Sequence, residues 1–411
     1  MKTKTLVIIG GGAAGYFCAI NAKTQNKSLN VLLLEKSNKV LSKVKVSGGG
    51  RCNVTHACFD IDELSKKYPR GERFLKKAFH WFNTNDTINW YKQKGIELKT
   101  EPDGRMFPLS NSSQTIVDCL TSTAKELGID VVLNNEVIDI NKKENYFQLT
   151  TKSNEKLNAD FLCITSGGFS KESQFNWLKN LGHSIENPVP SLFTFNIPKN
   201  NITELMGISV ENATIKINGS KLYSKGAVLI THWGLSGPAV LKLSAFAARE
   251  LADANYNFSI SVNWLNNYTE NNLFTDFPSI KQSFKSQKMS LKNPFGLPSR
   301  LWMYLLILSE IDPNMNWADL PLKKQNALIK NLTAQELKIS GKTTFKEEFV
   351  TCGGIKLSEV DVNTMQSKIH ENLFFAGEIL DIDGITGGFN FQAAWTTSWI
   401  AAQAISKKLL Q

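Results

Sequence analysis

Lys4-Thr5-Leu6-Val7-Ile8-Ile9-Gly10-Gly11-Gly12-Ala13-Ala14-Gly15 is the stretch whose reading decides the fold. The apolar, β-branched run reads as a buried parallel strand. Gly10, Gly12 and Gly15 then fill the slots of G-x-G-x-x-G. In that pattern the first glycine turns the chain, the second admits a pyrophosphate to the backbone, and the third lets the helix pack on the strand. Ala13 and Ala14 open the helix, so its free N–H groups and positive dipole end face the phosphates. Ala19, one helical turn after Gly15, is small enough for close packing on a sheet. Asn30-Val31-Leu32-Leu33-Leu34-Glu35 reads as the second parallel strand, and Glu35 stands twenty residues beyond Gly15, where an acid binds an adenosine ribose. Lys36 follows as a cation beside the phosphates. One β-α-β unit of this kind serves FAD and NAD equally.

The rest of the chain bounds the setting. Its 411 residues suggest two or three domains. The first strand starts at residue 5, which leaves no room for a signal peptide. The longest apolar run, Leu301 to Leu308, is far short of a membrane span. Six cysteines without a C-x-x-C suggest a reduced, cytoplasmic protein, and no metal-ligand cluster is visible. The net charge of +10 is uneven, because residues 281–346 hold eleven Lys/Arg against four acids. That stretch reads as a solvated helical face, with a docking surface for an anionic partner such as RNA as the sharper alternative. A second basic run, Lys36, Lys39, Lys43, Lys45 and Arg51, is explained by a neighbouring pyrophosphate.

Ser47-Gly48-Gly49-Gly50-Arg51-Cys52-Asn53 reads as a loop able to lie flat on a planar ligand. Helical spacing is expected over 72–94, a short strand over 95–99, a helix over 112–127, and strands over 130–140, 146–151 and 159–165. Val137 and the Ser166-Gly167 turn join the expected nucleotide contacts. Residues 191–264 alternate with the period of antiparallel sheet, and 270–338 switch to helical spacing. The last 60 residues return to α/β character. A strand running into Ala376-Gly377-Glu378, then a glycine-rich turn to Gly388, then a helix carrying Asn390 and Phe391, is how FAD folds close their site. Glu378 is placed to accept from a ribityl hydroxyl or approach the pyrophosphate. The helix N-terminus is placed to stabilise charge developing on the flavin pyrimidine.

Together with Gly104-Arg105-Met106-Phe107-Pro108 and Thr231-His232-Trp233-Gly234-Leu235-Ser236-Gly237-Pro238, these blocks resemble the bacterial YhiN/BaiN-like flavoproteins, described as NAD(P)/FAD-dependent oxidoreductases. The resemblance spans essentially the whole chain. It implies an α/β fold: a Rossmann-like, glutathione-reductase-like FAD-binding domain (1–190 plus 345–411), an inserted antiparallel β-barrel (191–268 plus 336–344) and a small helical subdomain (269–335). It also implies non-covalent FAD and reduction of carbon–carbon double bonds.

The expected activity is reduction of an activated C=C bond of a small molecule by hydride from flavin N5. NAD(P)H is the expected transient co-substrate, since no second G-x-G-x-x-G follows a later strand. The alternative is an FAD-dependent protein acting on RNA through the basic 281–346 face. His232 is the candidate proton donor and Arg105 the candidate anion or carbonyl ligand. Cys52 and Cys58 invite a redox-pair reading, but Cys52 is better read as a small neutral neighbour of the flavin ring. The substrate and the oligomeric state lie beyond the sequence.

Overall fold

The structure is a computed structural model that describes residues 3–344 and 350–410. The chain divides into two compact units, Met1–Ser191 with Lys346–Gln411, and Leu192–Phe345. Lys346, one of the eleven cations of the basic stretch, lies outside the described residues.

The first unit is built on five parallel strands in the spatial order Leu373–Phe375, Phe161–Ile164, Thr5–Ile9 (β1), Asn30–Leu34 (β2), Asp130–Val132. Leu6, Val7 and Ile8 are fully buried, because the central strand is covered on both faces and needs no alternation. The helix Ala13–Gln25 (α1) packs against the C-terminal helix Phe389–Lys408, with Phe17 and Trp395 ring centroids 5.1 Å apart. Ala19 is fully buried in α1, as its small size anticipates. Strand order reverses beside β1, so the crevice for a ligand lies at the C-terminal ends of β1, β2 and Phe161–Ile164.

Two expected elements are broken, each for a local reason. The 130–140 run splits into Asp130–Val132 and the antiparallel strand Val137–Lys142, with Asn134 between them in the left-handed region at φ 54°. The helical 72–94 stretch is two helices, Glu72–Ala78 and Thr84–Gln93. Asn83 starts the second through a capping box with Asp86.

In the second unit a seven-stranded sheet carries Gln335–Ser340 at one end of its order and Lys342–Thr343 at the other. Only Gly341 separates these two strands in the chain, so one continuous segment forms both edges and the sheet closes on itself. Its inward residues alternate, as in Leu337 and Ile339 or Ile215 and Ile217. Helices Glu270–Ser283, Ser299–Leu308 and Leu322–Thr333 share that core, with Trp302 and Trp317 stacked at 6.1 Å.

Candidate functional site

Each glycine of the N-terminal turn has a distinct local geometry. Gly10 sits at φ 113°, and its N–H donates to Leu34 O at 2.8 Å, so the turn out of β1 is tied to β2. A Cβ on Gly15 would lie 1.9 Å from Gly10 O, so helix and strand meet at a distance only glycine allows. A Cβ on Gly12 would meet nothing within 4 Å. Gly12 also begins α1 without a side-chain cap, leaving the first N–H groups of the helix unfilled by the protein's own side chains. This open helix start matches the slot that a pyrophosphate takes in this motif.

Beside it, a cavity of about 370 Å³ is lined by Gly10, Glu35, Lys36, Val137, Ser166 and Asn135, with Phe169 and Trp177 contributing apolar surface. Glu35 is held by two backbone donors, Gly11 N–H to Oε2 and Ser37 N–H to Oε1, both at 2.8 Å. Ser166 Oγ and Asn135 Oδ1 are buried without a hydrogen-bond partner. Two orphaned polar atoms in one nucleoside-sized cavity fit a polar ligand that would satisfy them. Asn135 was not anticipated; its only sequence signal is the polar Asn134-Asn135 step after a strand. Thr165 braces the floor, its Oγ1 donating toward Ile9 O and Gly10 O at 3.0 Å each.

The Ser47–Asn53 segment has the irregular backbone of a loop and follows directly on a helix. A helix begins at Ser42, and the chain leaves helical geometry at Ser47, after which Gly48, Gly49 and Gly50 all take positive φ. A Cβ on Gly49 or Gly50 would meet open space. Arg51 pairs with Glu101 at 2.8 Å and lies 4.0 Å over the Phe107 ring. Cys52 is fully buried, and burial pushes its thiol up to about 12. With its side-chain amide turned to satisfy both ends, Asn53 donates to Thr55 O at 2.9 Å and accepts from Gly388 N–H at 3.0 Å.

That last bond joins the glycine loop to the closing segment. Gly377 N–H donates to Thr397 Oγ1 at 2.9 Å, and Glu378 pairs with Lys43 at 2.6 Å while accepting from Thr351 N–H at 2.9 Å. The Lys43–Glu378 pair gives the second basic run a partner that sequence spacing did not reveal. Gly388, at φ 91°, begins the C-terminal helix without a side-chain cap. The Asn390 side chain turns back to bracket Gly384, donating to its O at 2.9 Å and accepting from its N–H at 2.8 Å. Phe391 stacks on Trp395 at 5.7 Å.

Four residues that sequence reasoning missed hold this loop. Asp383 is fully buried, with Arg70 Nε donating to Oδ1 at 2.5 Å and Ser191 Oγ donating to Oδ2 at 2.7 Å. Burial outweighs these partners and raises its carboxyl to about 6. His56 stacks on Phe389 at 4.6 Å with Nδ1 3.0 Å from Gly387 O. These contacts join residues at least 192 positions apart, so no local signal marks them.

Of the two catalytic candidates, Arg105 stands opposite His56 in the strand pairing of Thr55–His56 with Arg105–Pro108, and His232 belongs to the other unit. Arg105 pairs with Asp103 at 2.6 Å and lies 5.5 Å from the Phe107 ring, on the strand Arg105–Pro108. His232 is in the second unit, exposed in the turn after Tyr223–Thr231, its ring 3.9 Å from that of Trp233. Cys52 and Cys58 are both free thiols. Among the described residues, no group of three His, Cys, Asp or Glu is arranged for a metal, and no helix is long and apolar enough to cross a membrane.

The family profile of the HI0933-like protein Rossmann domain matches residues 4–404. The chain belongs to this family. The resemblance seen in its motifs is borne out, and so is the α/β, Rossmann-like fold. Among relatives of this HI0933-like protein is a ribosomal RNA dihydrouridine synthase of Escherichia coli, 30% identical and covering 98% of both chains. A 3-dehydro-bile acid delta(4,6)-reductase of Clostridium scindens is 24% identical, also covering 98% of both. A ribosomal RNA dihydrouridine synthase of Haemophilus influenzae is 28% identical over the same share. Among solved structures, a 3-ketosteroid-delta4-(5alpha)-dehydrogenase of Rhodococcus jostii covers 98% of this chain and 97% of its own, at TM-score 0.51 and 12% identity. That likeness concerns the fold alone.

Proposed function

We propose that this chain is an FAD-dependent reductase of a C=C bond conjugated to a carbonyl, and that its acceptor is a uracil base in RNA. The observation that carries the reading is the bond chemistry shared by its relatives. Dihydrouridine differs from uridine by two hydrogens across C5=C6, which is conjugated to the C4 carbonyl. The delta(4,6) double bonds of a 3-dehydro steroid are likewise conjugated to the C3 carbonyl. Both reductions place a hydride on an electrophilic carbon conjugated to the carbonyl, the β-carbon or the vinylogous δ-carbon, and a proton on the neighbouring carbon. The small-molecule acceptor expected from the sequence is the second reading, supported by the bile acid reductase. The two RNA-directed relatives, at higher identity, and the net charge of +10 favour RNA.

In this reading the start of α1 at Gly12 holds the pyrophosphate, and Glu35, Asn135 and Ser166 hold the adenosine. The open Gly49-Gly50 backbone, Asn53 and the N-terminus of Phe389–Lys408 hold the ring end. Bound FAD supplies hydride exchange at N5, with NAD(P)H as donor. Arg51 and Arg105, both near the Phe107 ring, are the groups for polarising a carbonyl. His56 beside the closing loop and His232 in the second unit are the two imidazoles for the proton.

The test is an anaerobic one. The holoprotein is reduced with NADH or NADPH, then offered uridine-containing RNA or a steroid enone. Dihydronucleoside after digestion of the RNA supports the reading. Reoxidation by the enone with no change in the RNA overturns the choice of acceptor.

A further inference from the structure

A second cavity, about 890 Å³, lies in the first unit and shares no lining residue with the nucleotide cavity. One wall is the helix Glu72–Ala78 and the other is the segment 357–368. Arg73, Lys76, Lys77, His80 and Lys368 line it, against two acids, Glu72 and Asp361. Lys76 is paired with Asp62 at 2.7 Å, whereas Arg73 and Lys77 make no ion pair among the described residues. Phe74, half-buried, adds an aromatic face among the cations. Cations tracking a backbone with an aromatic platform between them suit single-stranded nucleic acid.

The far wall is stiff. Glu359 accepts from Ser184 N–H at 2.9 Å and lies 3.1 Å from the buried His183 Nδ1, while Lys368 N–H donates to Glu359 O at 2.9 Å. The groove also leads somewhere. A Cβ on Gly71, at its end, would lie 2.7 Å from Ile382 Cγ1, and Arg70 forms an antiparallel bridge with Asp383. Its end therefore abuts the closing loop, whose far end carries Gly387 and Phe389, the latter stacked on His56.

In the groove Lys368 donates to Ser358 O at 2.9 Å, while Arg73 and Lys77 are without an ion pair among the described residues. Several cations of the 281–346 stretch are also occupied within their own unit. Lys281 donates to Leu320 O at 2.8 Å, Arg300 donates to Glu204 O at 2.5 Å, and Lys330 pairs with Glu336 at 3.5 Å. Lys292 lies 4.8 Å over Phe284 and Lys342 lies 4.1 Å over Tyr256.

We propose that the groove between Glu72–Ala78 and residues 357–368 binds the sugar–phosphate backbone of single-stranded RNA, delivering a nucleotide to the closing loop. This rests on the reading of the chain as an RNA-directed reductase. The test uses the FAD-loaded protein and a fluorescein-labelled oligouridylate, with affinity measured across a salt series. Combined Arg73→Ala, Lys77→Ala and Lys368→Ala should weaken binding at least about tenfold and lower the salt slope by about 2, at roughly 0.7 per phosphate contact. Flavin content should be unchanged, since none of the three supports the nucleotide. Combined Lys285→Ala, Lys288→Ala and Lys323→Ala should leave both quantities near the parent values.

Parent-like affinity and salt slope in the groove variant overturn the proposal, as does a parent protein that fails to retain the oligouridylate at low salt. The two readings fail separately. If the groove variant loses RNA while the parent binds it but makes no dihydrouridine, the groove stands and the reductase reading falls. If the groove variant makes dihydrouridine as the parent does, at every salt concentration, the groove falls and the reductase stands.

Discussion

Replacing Gly12 by valine should separate folding from cofactor binding. Gly12 has φ −88° and ψ −169°, a conformation that valine adopts, and open space surrounds its missing Cβ. Valine is a poorer helix start than glycine, but it also restricts the unfolded chain, and these effects oppose each other. The cofactor-free protein should therefore lose no more than about 1 kcal/mol, a shift of roughly 2–4 °C in Tm. The branched side chain would fill the space at the start of α1 and hold a pyrophosphate off the helix N–H groups. Losing one or two charge-assisted hydrogen bonds costs about 3 kcal/mol, or roughly a hundredfold in FAD affinity. Fluorescence titration of FAD into the apoprotein measures that loss, and the Tm of the apo form checks the fold. Gly15→Ala is the contrast, because its Cβ meets Gly10 O at 1.9 Å and neither partner is a flexible side chain. It should destabilise the apoprotein by several kcal/mol, as overpacking against backbone does. A Gly12→Val protein that binds FAD as tightly as the parent would refute the placement of the pyrophosphate.

The remaining expectations concern titratable groups. Asp383 is raised from about 3.8 to about 6 by burial, so the folded protein holds an extra proton between those values. Its contribution is fully present below pH 3.8 and is lost as pH rises through 6, a change of about 3 kcal/mol. Unfolding free energies of the parent and Asp383→Asn, compared from pH 4 to pH 7, should diverge in that direction. Parallel curves would show that Asp383 does not titrate as its burial implies. Cys52, at about 12, should resist iodoacetamide at pH 8 in the folded protein, while the half-buried Cys58 labels first. Peptide mapping that finds Cys52 modified faster would revive a redox role for it.

Much of the first unit was legible because its signals are local. Thr5–Ile9, the glycine turn, α1 and β2 are contiguous, and each glycine's slot follows from backbone sterics within six residues. The alternation of the second unit also showed in the sequence. The closure of its sheet did not, since it depends on one segment supplying both edges around Gly341. Asn134 and Asn83 broke two expected elements by stabilising local conformations that hydrophobic periodicity does not register.

By itself the sequence determined the strand, glycine turn and helix at its start and the family, and its two glycine-rich ends carry the proposed cofactor site. These depend on residue types whose conformational or phosphate-binding properties act at their own position. Only the tertiary structure decided which side chains are spent on the protein itself. It turned Asn390 onto Gly384, paired Glu378 with Lys43 and Asp383 with Arg70, and left Ser166 Oγ and Asn135 Oδ1 without partners in one cavity. It also set an unanticipated basic groove against the closing loop through Gly71 and Ile382. Pairings between residues hundreds of positions apart are fixed by packing, and spacing along the chain carries no record of them.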